Sequence, residues 1–140
     1  MAVIDAWGSV NVSLAVMKDP IDAPVVCGFL GVDAVPSEPG VLVTSGQNWW
    51  AYTYGEDFGD GLESKVVALV DRFKPRLGGV GNLLETGHAV QVAIAGSVST
   101  GSQLFLSPRV IGRLASLAMP ISVTSLMDAQ EEDPLGWLDD

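Results

Sequence analysis

The chain has 140 residues, 48% of them hydrophobic and 17% charged, which excludes a disordered polymer and is enough for one domain with its own core. Seven Lys and Arg against 17 Asp and Glu give a formal net charge of −10, which argues against nucleic acid or an anionic membrane as partner and is compatible with solubility alone and also with a basic protein partner. The single cysteine, Cys27, excludes an internal disulfide and fits a reducing, cytoplasmic setting.

Taken in order, the opening residues are not expected to form a signal peptide, because Asp5 comes early and no basic segment precedes an apolar run. No stretch approaches the ~18 uninterrupted apolar residues of a membrane span. Trp7 to Met17 alternates, with Val10, Val12, Leu14 and Val16 on one side and Ser9, Asn11, Ser13 and Ala15 on the other, so it predicts a half-buried strand. Lys18-Asp19-Pro20 ends that strand. Asp22-Ala23-Pro24 opens a short helix, with Asp22 as cap, Val25, Val26, Phe29 and Leu30 at helical spacing and Gly31 as stop.

Val32 to Gly46 reads as a long loop holding a short strand at Val41–Thr44. Asn48 to Tyr54 brings Trp49, Trp50, Tyr52 and Tyr54 in strand register, and Gly55 to Gly61 is an acidic, glycine-rich turn. Leu62 to Lys74 carries the strongest helical stripe, formed by Leu62, Val66, Leu69, Val70 and Phe73. Pro75 interrupts it, and a second helical piece over Arg76 to Glu85 is weakened by Gly78, Gly79 and Gly81.

His88 to Gly96 follows. Val90, Val92 and Ile94 stand on one face and Ala89, Gln91, Ala93 and Ala95 on the other, which predicts an interior strand with helices covering it. After a Ser/Gly/Thr loop over Ser97–Gln103, Ser107-Pro108 starts a helix with Val110, Ile111, Leu114 and Leu117 inward and Arg109 and Arg113 on a flank. Ile121 to Met127 is a last strand, and an acidic tail takes up the remainder.

Together these elements predict one α+β domain over 1–127, built as a mixed sheet of four or five strands with two or three helices packed on it, and a tail over 128–140. One connection is long enough for a parallel crossover, which should be right-handed.

Candidate chemistry is sparse. His88, the only histidine, stands at the mouth of the central strand, but no nucleophile or carboxylate is flagged by spacing to complete a triad. Cys27 sits among Val25, Val26, Gly28 and Phe29, surroundings of a buried, unreactive thiol. One histidine and one cysteine exclude the usual zinc sets, and Glu56, Asp57 and Asp60 lack the spacing and closing glutamate of an EF-hand, so no metal site and no cofactor is expected. Gly78-Gly79-Val80-Gly81 follows a helix rather than a strand and lacks the Walker lysine, so it reads as a flexible junction. Arg109 and Arg113, with Lys65, Arg72, Lys74 and Arg76 as neighbours, form a candidate anion site.

Adjacent tryptophans in a strand point opposite ways, so Trp49, Trp50 and Tyr52 are candidate binding residues for whichever face lies outside the core. Trp137, between Leu135 and Leu138 within acids, has the form of a docking element.

The order of pieces resembles the small bacterial proteins grouped as domain of unknown function 4279. The matching stretches are Phe29-Leu-Gly31, Trp50-Ala-Tyr-Thr-Tyr54, Leu69-Val-Asp-Arg-Phe-Lys-Pro75, Leu106-Ser-Pro108 and Ile111-Gly-Arg-Leu-Ala-Ser-Leu117. The resemblance covers most of Trp7 to Met127 and brings no activity or site residues with it.

These features lead to a non-catalytic interaction protein, of accessory or immunity type, that binds another protein. The alternatives are a small-ligand binder using the aromatic strand and, third, an enzyme built on His88. Self-association through a free sheet edge is a further expectation.

Overall fold

The computed structural model of the chain describes residues 10–55, 58, 61–98 and 104–127. Five strands form one sheet: β1 (Val10–Met17), β2 (Val41–Ser45), β3 (Trp49–Tyr54), β4 (Ala89–Val98) and β5 (Ile121–Met127), in the order β2-β3-β1-β4-β5. The helices are α1 (Ala23–Leu30), α2 (Gly61–Phe73), α3 (Leu77–Glu85) and α4 (Pro108–Ala115). A 3-10 turn at Lys74–Arg76, around Pro75, joins α2 to α3 without a break, so the helical layer consists of three units. The fold is the α+β mixed sheet that the alternation of elements predicts.

Local chemistry accounts for the element boundaries. Asp22 Oδ1 accepts from the Val25 backbone N–H at 3.4 Å, and Gly31, at φ +67°, closes α1 in the left-handed conformation. Ser107 Oγ accepts from the Val110 N–H at 3.1 Å with Pro108 in the first turn of α4.

The sheet is mixed because β1 runs antiparallel to both β3 and β4, β2 antiparallel to β3, and β4 parallel to β5. Three connections therefore join strands of like direction: β1 to β2 through α1, β3 to β4 through α2 and α3, and β4 to β5 through α4. The first moves one way across the sheet and the other two move the opposite way from strands of opposite direction. With the near-universal right-handed sense, all three place their helices on the same face.

Burial follows that geometry. Val12, Leu14, Val16, Trp50, Tyr52, Tyr54, Val90, Val92 and Ile94 share one face of the sheet and are buried with Val66, Leu69, Phe73, Leu83 and Leu114 of the helices. Tyr52 and Phe73 meet edge to face at 5.1 Å between ring centroids. The opposite face carries no helix among the described residues. The expected helical cover of β4 therefore lies on the Val90, Val92 and Ile94 side alone, and Ala89, Gln91, Ala93 and Ala95 face the side without a helix among the described residues.

Gly79 also departs from its sequence reading. A Cβ at this position would overlap the Phe29 carbonyl oxygen and lie 2.9 Å from its carbon. The glycine is the point where α3 passes against the end of α1, so it is a close-packing residue and not a flexible junction.

Candidate functional site

The open face of the sheet is built by the alternate residues of its strands. β1 contributes Asn11, Ser13, Ala15 and Met17; β3 contributes Trp49, Ala51 and Thr53; β4 contributes Ala89, Gln91, Ala93 and Ala95. Leu42 and Thr44 of β2 and Ser122 and Thr124 of β5 extend it to both edges. Among the described residues of this face there is no Asp, Glu, Lys or Arg, although the chain carries a net charge of −10.

Its polar groups are partly satisfied within the sheet. The Ser13 and Thr53 hydroxyls pair at 2.8 Å, and the Gln91 amide nitrogen donates to the Ser122 hydroxyl at 3.1 Å. A polar group that already has a partner loses less on leaving water than one that does not. Among its described residues the face is thus uncharged and inexpensive to dry. Trp49, 41% exposed and paired with Met17 at the end of β1, stands at one corner and offers the one large aromatic among the described residues of this face.

Of the residues singled out from sequence, only Trp49 belongs to this surface. Trp50 and Tyr52 are 0% and 3% exposed because their register turns them toward the helices, so they offer no surface to a docking protein. Trp137 lies outside the described residues, as do Glu56, Asp57, Asp60, the tail over 128–140 and most of the Ser97–Gln103 loop.

Arg109 and Arg113 do come together with α2, but acids meet them there. Arg109 Nε is 3.5 Å from Glu63 Oε2 and Arg113 Nη1 is 3.9 Å from Asp71 Oδ1. These solvent-screened pairs tie α4 to α2 and are worth about 0–1 kcal/mol each. Arg72 instead donates to the Gly31 carbonyl at 3.3 Å and lies 6.0 Å from the Tyr52 ring centroid. Lys65 points inward, 3% exposed, and its Nζ donates to the Val10 carbonyl at 2.6 Å. The anion site expected from this cluster is therefore divided among neutralising contacts. Lys65 was not legible as a core residue from its charge; its place among Leu62, Val66 and Leu69 on the helical stripe was the available signal.

His88 is buried at the end of α3. Its backbone N–H donates to the Leu83 carbonyl at 2.9 Å, and Nδ1 lies 3.1 Å from both that carbonyl and the Thr86 hydroxyl. The ring thus takes part in closing the helix. Among the described residues no group of three His, Cys, Asp or Glu is placed to hold a metal ion, and no helix is long and apolar enough to cross a membrane.

On the helical side, α1 and β2 leave a cleft of about 360 Å³ lined by Ala23, Pro24, Cys27, Ala34, Val43, Ser45 and Trp50. The Cys27 thiol lies beside the Trp50 indole; burial pushes its pKa up, the indole N–H pulls it down, and the Asp33 carboxylate adds to the rise. The net direction is upward, toward a neutral thiol. A neutral thiol is a weak acceptor. Trp50 Nε1 makes no hydrogen bond that satisfies distance and angle, and it is fully buried. An unpaired buried donor costs about 1–3 kcal/mol.

Compared with protein-family profiles, with curated proteins and with solved structures, the chain matches none.

Proposed function

We propose that this chain is a non-catalytic interaction domain that docks another protein against the open face of its sheet. The observation that carries this reading is the absence of charge among the described residues of that face, in a chain with 17 acidic residues. A one-sided antiparallel sheet ordinarily turns polar and charged side chains to water. An extended uncharged surface is what a protein interface presents at its centre, where charged residues are depleted and a few aromatics act as anchors. Trp49 supplies such an anchor at the corner of the face.

The partner best suited to this surface is uncharged over the contact and basic around it. The acids among the described residues lie off the face, where they attract a basic rim and speed encounter. This is the accessory or immunity type of role, in which one protein covers another.

The test places a charge at the middle of the face. Ala93 lies between Ser13 of β1 and Ser122 of β5. The tagged full chain is purified from its own host beside Ala93→Arg and beside Leu84→Arg, a control at a 54% exposed position on α3. The expected result is one stoichiometric basic partner recovered by the wild type and the control and lost by Ala93→Arg, whose thermal unfolding is unchanged. Retention of that partner by a folded Ala93→Arg would overturn the reading.

A further inference from the structure

We propose that the acidic tail over 128–140 docks on its own domain, in the groove between α2 and α4, with Trp137 seated over Gly112. The tail lies outside the described residues; the groove and the strand from which the tail departs lie within them. The groove is on the helical side, so the inference is independent of protein docking on the open face.

The groove has a volume of about 470 Å³ and gathers three of the chain's seven basic side chains, Lys74, Arg109 and Arg113. Arg109 and Arg113 each spend one guanidinium nitrogen on Glu63 or Asp71 and keep the others. Lys74 is exposed and makes no ion pair or hydrogen bond among the described residues. Between these charges the lining is apolar or bare: Val70 and Pro108 contribute carbon surface, and a Cβ on the exposed Gly112 would meet nothing within 4 Å. Glycine weakens a helix, and no neighbour requires it there; the gap suits a flat ring.

The tail matches this surface in charge, order and reach. It holds six acids and no base: Asp128 and Glu131-Glu132-Asp133 come before Leu135, Trp137 and Leu138, and Asp139-Asp140 follow. It also departs from the right end of the sheet. The Lys65 contact to the Val10 carbonyl places the start of α2 at the Val10 end of β1, and the Arg109–Glu63 pair places the first turn of α4 there too. Val10 pairs with Gly96, and Gly96 with Ser125, two residues before Met127. The groove is one helix diameter, ~10 Å, above the sheet and at most two strand spacings, ~10 Å, from β5. Ten extended residues, from Met127 to Trp137, reach up to ~33 Å. Along α2 the groove runs ~16 Å from Glu63 to Lys74, and the stretch from Asp133 to Asp139 spans up to ~20 Å. The first acids therefore meet Arg109, the apolar residues lie over Val70 and Gly112, and the last acids meet Lys74 and Arg113.

The experiment uses the full chain labelled with nitrogen-15. In the wild type the Trp137 indole N–H should relax with the folded domain at every protein concentration. Trp137→Ala should move the Gly112 and Arg113 amide resonances and leave that of Ala93, on the open face, in place. Gly112→Trp fills the gap and Lys74→Glu reverses an exposed charge; in whichever of them is folded, the Trp137 indole should be released. A Glu-specific protease should then cleave after Glu132 about tenfold faster than in the wild type, because cleavage follows the undocked population. A wild-type Trp137 indole as mobile as that of a free peptide, movement of the Ala93 amide instead of those on α4, or equal cleavage of the wild type and the folded variants would each overturn the proposal. So would ordering that fades on dilution, the mark of a tail docked on a second copy.

Discussion

Replacing Gly79 by alanine sets two effects of known sign against each other. Within a helix, alanine is favoured over glycine by about 1 kcal/mol, so local propensity alone makes Gly79→Ala stabilising. The structure opposes this, because the added Cβ would overlap the backbone carbonyl of Phe29. Backbone cannot rotate away as a long side chain does, so α3 must separate from α1 or the last turn of α1 must shift. Overpacking of this kind costs about 1–3 kcal/mol, and Leu30, Val80 and Leu83, buried in the core near the shift, lose contact as well. The net expectation is a loss of about 1–2 kcal/mol, or about 3–7 °C in Tm for a chain of this size. Gly81→Ala in the same helix is the control, since a Cβ there meets nothing within 4 Å. It should gain up to about 1 kcal/mol. Urea unfolding followed by circular dichroism measures both variants. If Gly79→Ala proves as stable as Gly81→Ala, α3 does not pass against α1 as described.

Three further outcomes are expected. Lys65→Met keeps the buried stem but leaves the Val10 carbonyl without its charged donor, and should lower the unfolding free energy by about 1.5–3 kcal/mol, read by urea titration at neutral pH. Burial holds the Tyr54 hydroxyl well above the ordinary tyrosine pKa of 10.0, with the Tyr52 and Glu38 charges adding to the rise. The unfolded chain therefore ionises first, so stability is unaffected at neutral pH and falls as pH rises past about 10; Tyr54→Phe should flatten that fall, and an unchanged pH profile would contradict the assignment. At the free edge of the sheet, β5 has no charge from Ile121 to Met127, and Ile121 and Val123 are 43% and 48% exposed. Edges without charge or proline pair readily, so sedimentation should show concentration-dependent self-association that Val123→Lys removes; a wild type monomeric at every concentration would count against it.

What was legible in the sequence was whatever depends on neighbours along the chain. Alternation located β1, β3 and β5, and the caps at Asp22 and Ser107 fixed where α1 and α4 begin. Trp49 and Trp50 were correctly expected on opposite faces. Which face was the core was not legible, because Ala93 suits both a helix-covered sheet and an open one. That distinction depends on the crossover of every helix to the same side, a property of strand order. Arg109 and Arg113 illustrate the same limit. Their spacing showed a shared flank, but Glu63 and Asp71, which neutralise them, are more than forty residues away. Gly79 and Lys65 depend on partners at Phe29 and Val10, and no local pattern encodes such contacts.

The position of β1 also bears on how the protein is made. It is the earliest strand described and the middle one of the sheet, flanked by β3 and β4. During synthesis Val10–Met17 therefore emerges with both of its hydrogen-bonding edges vacant. The β3 side is filled only after Tyr54 has emerged, and the β4 side only after Gly96. The strand is uncharged throughout, so the nascent chain carries a sticky segment until most of its length has left the ribosome. Topologies that close late on an early strand fold slowly for the same reason. Yield in the cell should depend on translation pace and on chaperones that shield β1, more than on the stability of the finished fold.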